Sequence, residues 1–253
     1  MIIDFLKADW PAPECIIAGT TTRHGGHSLA PYDSFNLATH VGDDREAVAN
    51  NRKLLVSELD LPDEPIWLNQ VHSTTAVNSD DLLLSGNPES CADAIFSFDK
   101  NKICAVLTAD CVPILITDSI GSRVAAIHAG WRGLRDGIIE KTLSQLNCNA
   151  ENLLVWIGPA ISSEVFEVDD NVRDEFIKID EAAANAYKPS RAGHWLMDLV
   201  LLVKQRLNIL GVSDNAIFGG DRCSYLENDL FYSYRRNSAT GRMASLIYIR
   251  ETQ

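Results

Sequence analysis

Three short segments carry side chains suited to chemistry: 68–73 (LNQVHS), 105–115 (AVLTADCVPIL) and 124–133 (VAAIHAGWRG). Read as a strand, the first puts Gln70 and His72 on one face, with Val71 turned toward the core. In the second, a polar break between two apolar runs sets Asp110 and Cys111 at a strand end or tight bend, where functional groups can face a cleft. In the third, a small-residue strand ends in His128. Gly130 and Gly133 then frame Trp131 and Arg132 at a helix start, where backbone can approach a ligand and anions are favoured. Two imidazoles and a thiolate, from His72, Cys111 and His128, form a borderline-soft donor set that suits Zn2+ or copper better than Mg2+. Three protein donors with a fourth position open to water is the arrangement of a catalytic zinc. The same residues allow a second chemistry, with Cys111 as nucleophile, His128 as base and Asp110 or Gln70 orienting, as in cysteine hydrolases and deamidases. Inert readings stand beside both: His72 bonding at a sheet surface, Cys111 as packing, Trp131 as core. The intervals between the three residues are long, so spacing alone does not choose.

Positioning these residues requires strands at Ile66–Val77, Ile103–Leu107, Ile114–Thr117, Arg123–Ile127, Leu153–Ile157 and Ala244–Ile249. Asp43 and Glu46 read as the capping pair of a helix whose apolar side carries Val48, Leu55 and Leu59. Gly130–Leu146 reads as a second helix, Met197–Leu210 as a third closed by Gly211, and Val172–Ile179 as a shorter one. Several strands follow one another before the Gly130 helix. That order favours an α/β or α+β fold, with a mixed sheet and helices packed outside it, over a doubly wound parallel sheet. The turn-rich stretches Arg23–Ser28, Ser85–Ser90, Lys188–Gly193 and Arg236–Gly241 are too short to be linkers, so the expectation is a single domain over 1–253.

The 253-residue chain is 46% hydrophobic and 23% charged, the balance of an ordinary globular protein. Its net charge of −13 argues against a general nucleic-acid partner and leaves room for a small anion held by local arginines. The amino-terminal segment lacks the features of a secretory signal, and the longest apolar run, Ile103–Ile116, is broken by Asp110 and Pro113 and too short to span a bilayer. Six cysteines without a CxxC pair then suggest a reducing cytoplasmic setting rather than disulfides. Nothing here specifies an oligomeric state.

Taken together, NQVHS, LTADCVPIL, HAGWRGL, IGPAI and FYSYRRNSATGRMA, in that order from about Thr20 to Ile249, resemble the laccase-domain family. Its members are also called polyphenol-oxidase-like proteins or multifunctional purine nucleoside phosphorylases. The resemblance implies zinc held by His72, Cys111 and His128. It also implies phosphorolysis of adenosine, inosine and methylthioadenosine, with adenosine deamination alongside. Phosphorolysis needs an anion site, for which Arg52, Arg132 and Arg23 are the candidates, since guanidinium forks match phosphate oxygens. Asn36, His40 and Gln70 are candidates for sugar or base contacts. Two further implications are cell-wall precursor editing and copper-dependent phenol oxidation. A blue multicopper oxidase, however, needs repeated His-x-His pairs, and the chain's six histidines include none.

Overall fold

The computed structural model describes residues 3–85 and 91–251, so 86–90 of the turn expected at Ser85–Ser90 lie outside the described residues. The chain opens with β1 (Phe5–Lys7) and β2 (Ile16–Thr21), followed by α1 (Arg45–Glu58), β3 (Ala76–Asn78) and α2 (Ser79–Ser85). Four strands come next: β4 (Ala94–Ser97), β5 (Cys104–Thr108), β6 (Val112–Asp118) and β7 (Val124–Ala129). Then follow α3 (Trp131–Asp136), α4 (Ile138–Leu146), β8 (Leu153–Ile157), β9 (Glu167–Asp169) and α5 (Asp170–Ile179). The remainder holds β10 (Tyr187–Pro189), β11 (His194–Met197), α6 (Leu199–Ile209), β12 (Ile217–Gly219) and β13 (Met243–Ile249).

A six-stranded sheet runs β12-β8-β6-β7-β4-β3 and a four-stranded one β1-β2-β13-β5; β9–β11 form a small third sheet. The six-stranded sheet is mixed, with β12–β8 and β3–β4 parallel and the other pairs antiparallel. The two larger sheets pack face to face. Strand alternation assigns each side chain its layer. Cys104, Val106 and Ile247 meet Ile95, Leu115 and Ala126 between the sheets. Ala105, Leu107, Ala244 and Leu246 turn to the outside, where Leu55 of α1 covers them with Phe35 and Leu37. On the far face of the six-stranded sheet, Ile114, Ile127 and Val155 pack under Ile138 of α4 and Leu202 and Val203 of α6. The mixed α/β architecture with helices outside is therefore as the strand order predicts.

Several local expectations need correction. Within 66–77 only β3 is a strand, with isolated bridges at Ile66 and Asn69. Gln70 and His72 are therefore not alternate residues of one strand, and Val71 is 50% exposed rather than in the core. The expected helix over Gly130–Leu146 is two helices, because Gly137 adopts φ 97° and ends α3. Asp44, not Asp43, caps α1, accepting from the amides of Glu46 and Ala47. All six cysteines are free. No helix among the described residues is long and apolar enough to cross a membrane.

Candidate active site

The polar break after β5 is where the chain crosses from one sheet to the other. Asp110 makes the turn with φ 99°. Its buried carboxylate accepts from Ser224 Oγ at 2.7 Å and from the amide of Arg235 at 2.6 Å, tying the bend to the segment before β13. Cys111 follows, immediately before β6. His128 comes from the neighbouring strand β7, where it lies opposite Pro113. Gly130 passes so close that a Cβ on it would meet His72 Cδ2 at 2.5 Å and Cys111 Sγ at 3.1 Å, which explains a glycine here.

His72 arrives from the irregular 69–75 segment with φ 59°, an uncommon conformation for a residue with a side chain. Asp93, just before β4 and fully buried, holds it there. One Asp93 oxygen accepts from the amide of His72 at 3.0 Å and from His128 Nδ1 at 2.8 Å. The other accepts from the amides of Val71 at 3.3 Å and Ser73 at 2.6 Å, and from Ser73 Oγ at 2.7 Å. A single carboxylate thus fixes the backbone of one histidine and the ring of the other. Because Nδ1 of His128 donates to Asp93, its Nε2 is free to face the cluster.

The ligand atoms of His72, Cys111 and His128 all lie within 4.8 Å of one another, with Cys111 Sγ 3.7 Å from His72 Nε2. The type and grouping of these donors suit one soft or borderline metal ion. Cys111 and His128 each shift the other toward its charged form. Burial opposes a thiolate at Cys111, but the charge and hydrogen bond of His128, with help from His72, bring its pKa down to about 6. Burial likewise opposes an imidazolium at His128, yet Cys111 and Asp93 raise it to about 9.

A cavity of about 450 Å³ opens over the cluster. Ile161, Phe166, Leu199 and Trp131 give it apolar and aromatic surface, and Arg132, Arg235 and Arg242 bring guanidinium groups to its wall. Arg132 lies over Trp131 and Arg235 over Phe166, with 4.2 and 4.8 Å from guanidinium carbon to ring centroid. Arg242 is steadied by the carbonyls of Thr240 and Gly241, while its amide bonds Asn36. His40 lines the cavity too; burial, then the charges of Arg242 and Arg52, lower its pKa and favour a neutral ring.

The expected substrate contacts divide. His40, Gln70 and Arg132 reach this cavity. Gln70, however, spends both ends of its amide on the backbone of Leu107. Asn36 is fully buried and bonded to Ala38, Asp43 and Arg242, so it holds structure instead of facing the cavity. Arg52 lies outside the cavity wall: Leu37 O takes two of its N–H groups and Trp67 stacks beneath it. Arg23 is similarly committed, to the carbonyls of Asp33 and Asn228. Sequence reasoning missed Asp93, Arg235 and Arg242. A charge set between buried alanines at 92–94 and the RRNSATGR run were the available signals.

The family model described as multi-copper polyphenol oxidoreductase laccase matches residues 17–250. A Haemophilus influenzae protein named purine nucleoside phosphorylase is 45% identical over 245 residues, covering 96% of this chain and 98% of the relative. An Escherichia coli protein named purine nucleoside phosphorylase YfiH is 47% identical over 242 residues, covering 95% of this chain and 96% of its own. Among solved structures, a Neisseria meningitidis protein superposes with a TM-score of 0.92 at 44% identity, covering 98% of this chain and 99% of that one. YlmD from Geobacillus stearothermophilus gives 0.84 at 31% identity, with coverage of 95% and 94%.

Asp93 provides a direct test of this scaffold. Burial would raise its carboxyl pKa, but the hydrogen bonds from His128 and Ser73 outweigh that and bring it down to about 2, against 3.8 ordinarily. A lowered acid pKa stabilises the fold fully above the unfolded value, and this contribution is lost as pH falls through about 2. Asp93→Asn in metal-free protein should therefore lose about 2 kcal/mol at neutral pH, with the deficit shrinking between about pH 4 and 2. Urea unfolding at both ends of that range reads it. A deficit that stays constant across the range would contradict the assigned role.

Proposed function

We propose that this chain, which belongs to the multi-copper polyphenol oxidoreductase laccase family, is a zinc-dependent purine nucleoside phosphorylase acting in the cavity over His72, Cys111 and His128. The observation that carries the reading is the make-up of that cavity: a three-donor cluster, apolar and aromatic side chains and three arginines in a chain of net charge −13. Its volume, about 450 Å³, suits a small organic ligand. The names of the curated relatives support the same class.

In this reading the apolar wall at Ala109 and Ile161 takes the base. Arg132 and Arg235, set over Trp131 and Phe166, hold phosphate with Arg242 for attack at the ribose C1′. As the C1′–N9 bond breaks, its electrons pass to the purine, and a protonated or hydrogen-bonded ring nitrogen eases that departure. His40, a neutral ring on the cavity wall, can assist by donating a hydrogen bond. His72, Cys111 and His128 would hold the zinc, which when bound supplies Lewis acidity and makes hydroxide available near neutral pH. With zinc bound there, that chemistry would suit adenosine deamination in the same pocket. Asp93 keeps the proton of His128 on Nδ1 throughout. A multicopper oxidase is less well supported, because the described residues offer one three-donor group and no His-x-His pair.

A second reading has its own observation. Asp93, His128 and Cys111 are linked as carboxylate, imidazole and thiol, and the thiol pKa is brought down to about 6, as a cysteine nucleophile requires. Metal content distinguishes the two. Protein kept from chelators and metal columns should carry about one zinc per chain. Cys111→Ser should then lose most of that zinc together with activity. Full metal retention with lost turnover, and trapping of Cys111 by a thiol reagent, would favour the hydrolase.

The substrates supply another test. Adenosine should yield adenine only with phosphate present, and inosine with or without it. Arg132→Ala should lower phosphorolysis by about 10- to 100-fold and spare deamination, as expected for loss of a charged anion contact. Arg52→Ala should leave the adenine-to-inosine ratio at limiting phosphate unaltered. A shift of that ratio by Arg52→Ala but not by Arg132→Ala would move the anion site to α1.

A further inference from the structure

One residue of β5 departs from the pattern of its strand. Cys104 and Val106 face the apolar interior between the sheets, and Thr108 lies on the same side by alternation. It is 2% exposed, and its Oγ1 has no hydrogen-bond partner. Its backbone is already paired with Met243 across β13. A shielded hydroxyl without a partner destabilises a folded chain. Valine, close to threonine in shape and equally at home in a strand, would avoid that penalty. Packing alone therefore does not explain the hydroxyl. Its location does: Thr108 belongs to the wall of the cavity that holds His72, Cys111 and His128.

We infer that Thr108 is a specificity-determining residue whose hydroxyl hydrogen-bonds the 6-position edge of the bound purine. The inference rests on the nucleoside reading of the cavity. The wall beside Thr108 includes Ala109 and Ile161, which suit a flat base better than a sugar or phosphate. The guanidiniums of Arg132, Arg235 and Arg242 take the anion. A hydroxyl is both donor and acceptor, and its proton rotates to suit. It can accept from a 6-amino group or donate to a 6-oxo group, so one side chain serves both kinds of purine. A site built around such a bond rejects a ligand lacking the matching group far more strongly than an apolar wall does.

The test is phosphorolysis by wild type and Thr108→Val of three nucleosides: 6-amino, 6-oxo and 6-unsubstituted purine ribosides. Thr108→Val should lower kcat/KM for the first two by about 10- to 100-fold, mainly through KM, and leave the third within about 2-fold. Thr108→Ser, which keeps the hydroxyl, should recover most of the loss. Thermal stability of Thr108→Val should equal or exceed that of wild type. Tyr187→Phe is the control, since the buried Tyr187 hydroxyl is also without a partner but lies outside the cavity wall; its kinetics should not alter. Equal losses on all three substrates would overturn the assignment to the base edge. Lower stability with unchanged kinetics would show instead that the hydroxyl serves the fold. If the wild type turns over none of the three with phosphate, the phosphorylase reading fails and takes this inference with it.

Discussion

Five hydrogen bonds converge on the Asp93 carboxylate, and two of the three cluster residues have their geometry from it. A fully buried carboxylate would ordinarily be expelled or neutralised. Here three amides, a hydroxyl and an imidazole replace its hydration shell. The exchange has a structural result: the 71–73 backbone folds around the charge, which is how a residue with a side chain comes to occupy the left-handed region at 72. His72 and His128 lie on segments with no ladder between them, so this carboxylate is the link that brings their rings together, with centroids 4.8 Å apart.

Cys111 depends on a different constraint, the passage of the chain between sheets. β5 ends in the four-stranded sheet and β6 begins in the six-stranded one, so residues 109–111 span the seam. A seam between packed sheets offers apolar side chains on both flanks and unpaired strand ends at its rim. The cavity inherits both qualities. Asp110 closes the seam against the 224–235 segment, so the bend that presents Cys111 also anchors the stretch that supplies Arg235.

Much of this was legible in residue order. Buried on both faces, β5, β6, β8 and β13 read as near-continuous apolar runs, and the strands so expected fall on the observed ones to within a few residues. His72, Cys111 and His128 stood out by type and do meet. The failures have physical causes. Segment 66–77 reads as a strand with Gln70 and His72 on one face, but bonding to a buried carboxylate won over ladder pairing for 71–73. Gly137 divides the second helix through a left-handed turn that hydrophobic periodicity does not register. Strands of three or four residues, as in β9–β11, are too short to show a period. Arg52 does not line the cavity, because position on a helix says nothing about the cavity its side chain reaches. Arg52 instead satisfies the Leu37 carbonyl.

Strand β13 sits between β2 and β5, in a sheet whose other members come from the first half of the chain. During synthesis, therefore, β2 and β5 emerge from the ribosome well before the strand that must lie between them. The four-stranded sheet cannot close, nor the cavity gain Arg242, until residues 243–249 have been made. Long-range pairing of this kind slows folding, and waiting strands expose unpaired edges to other nascent chains. A protein so ordered acquires its site only once β13 has been made.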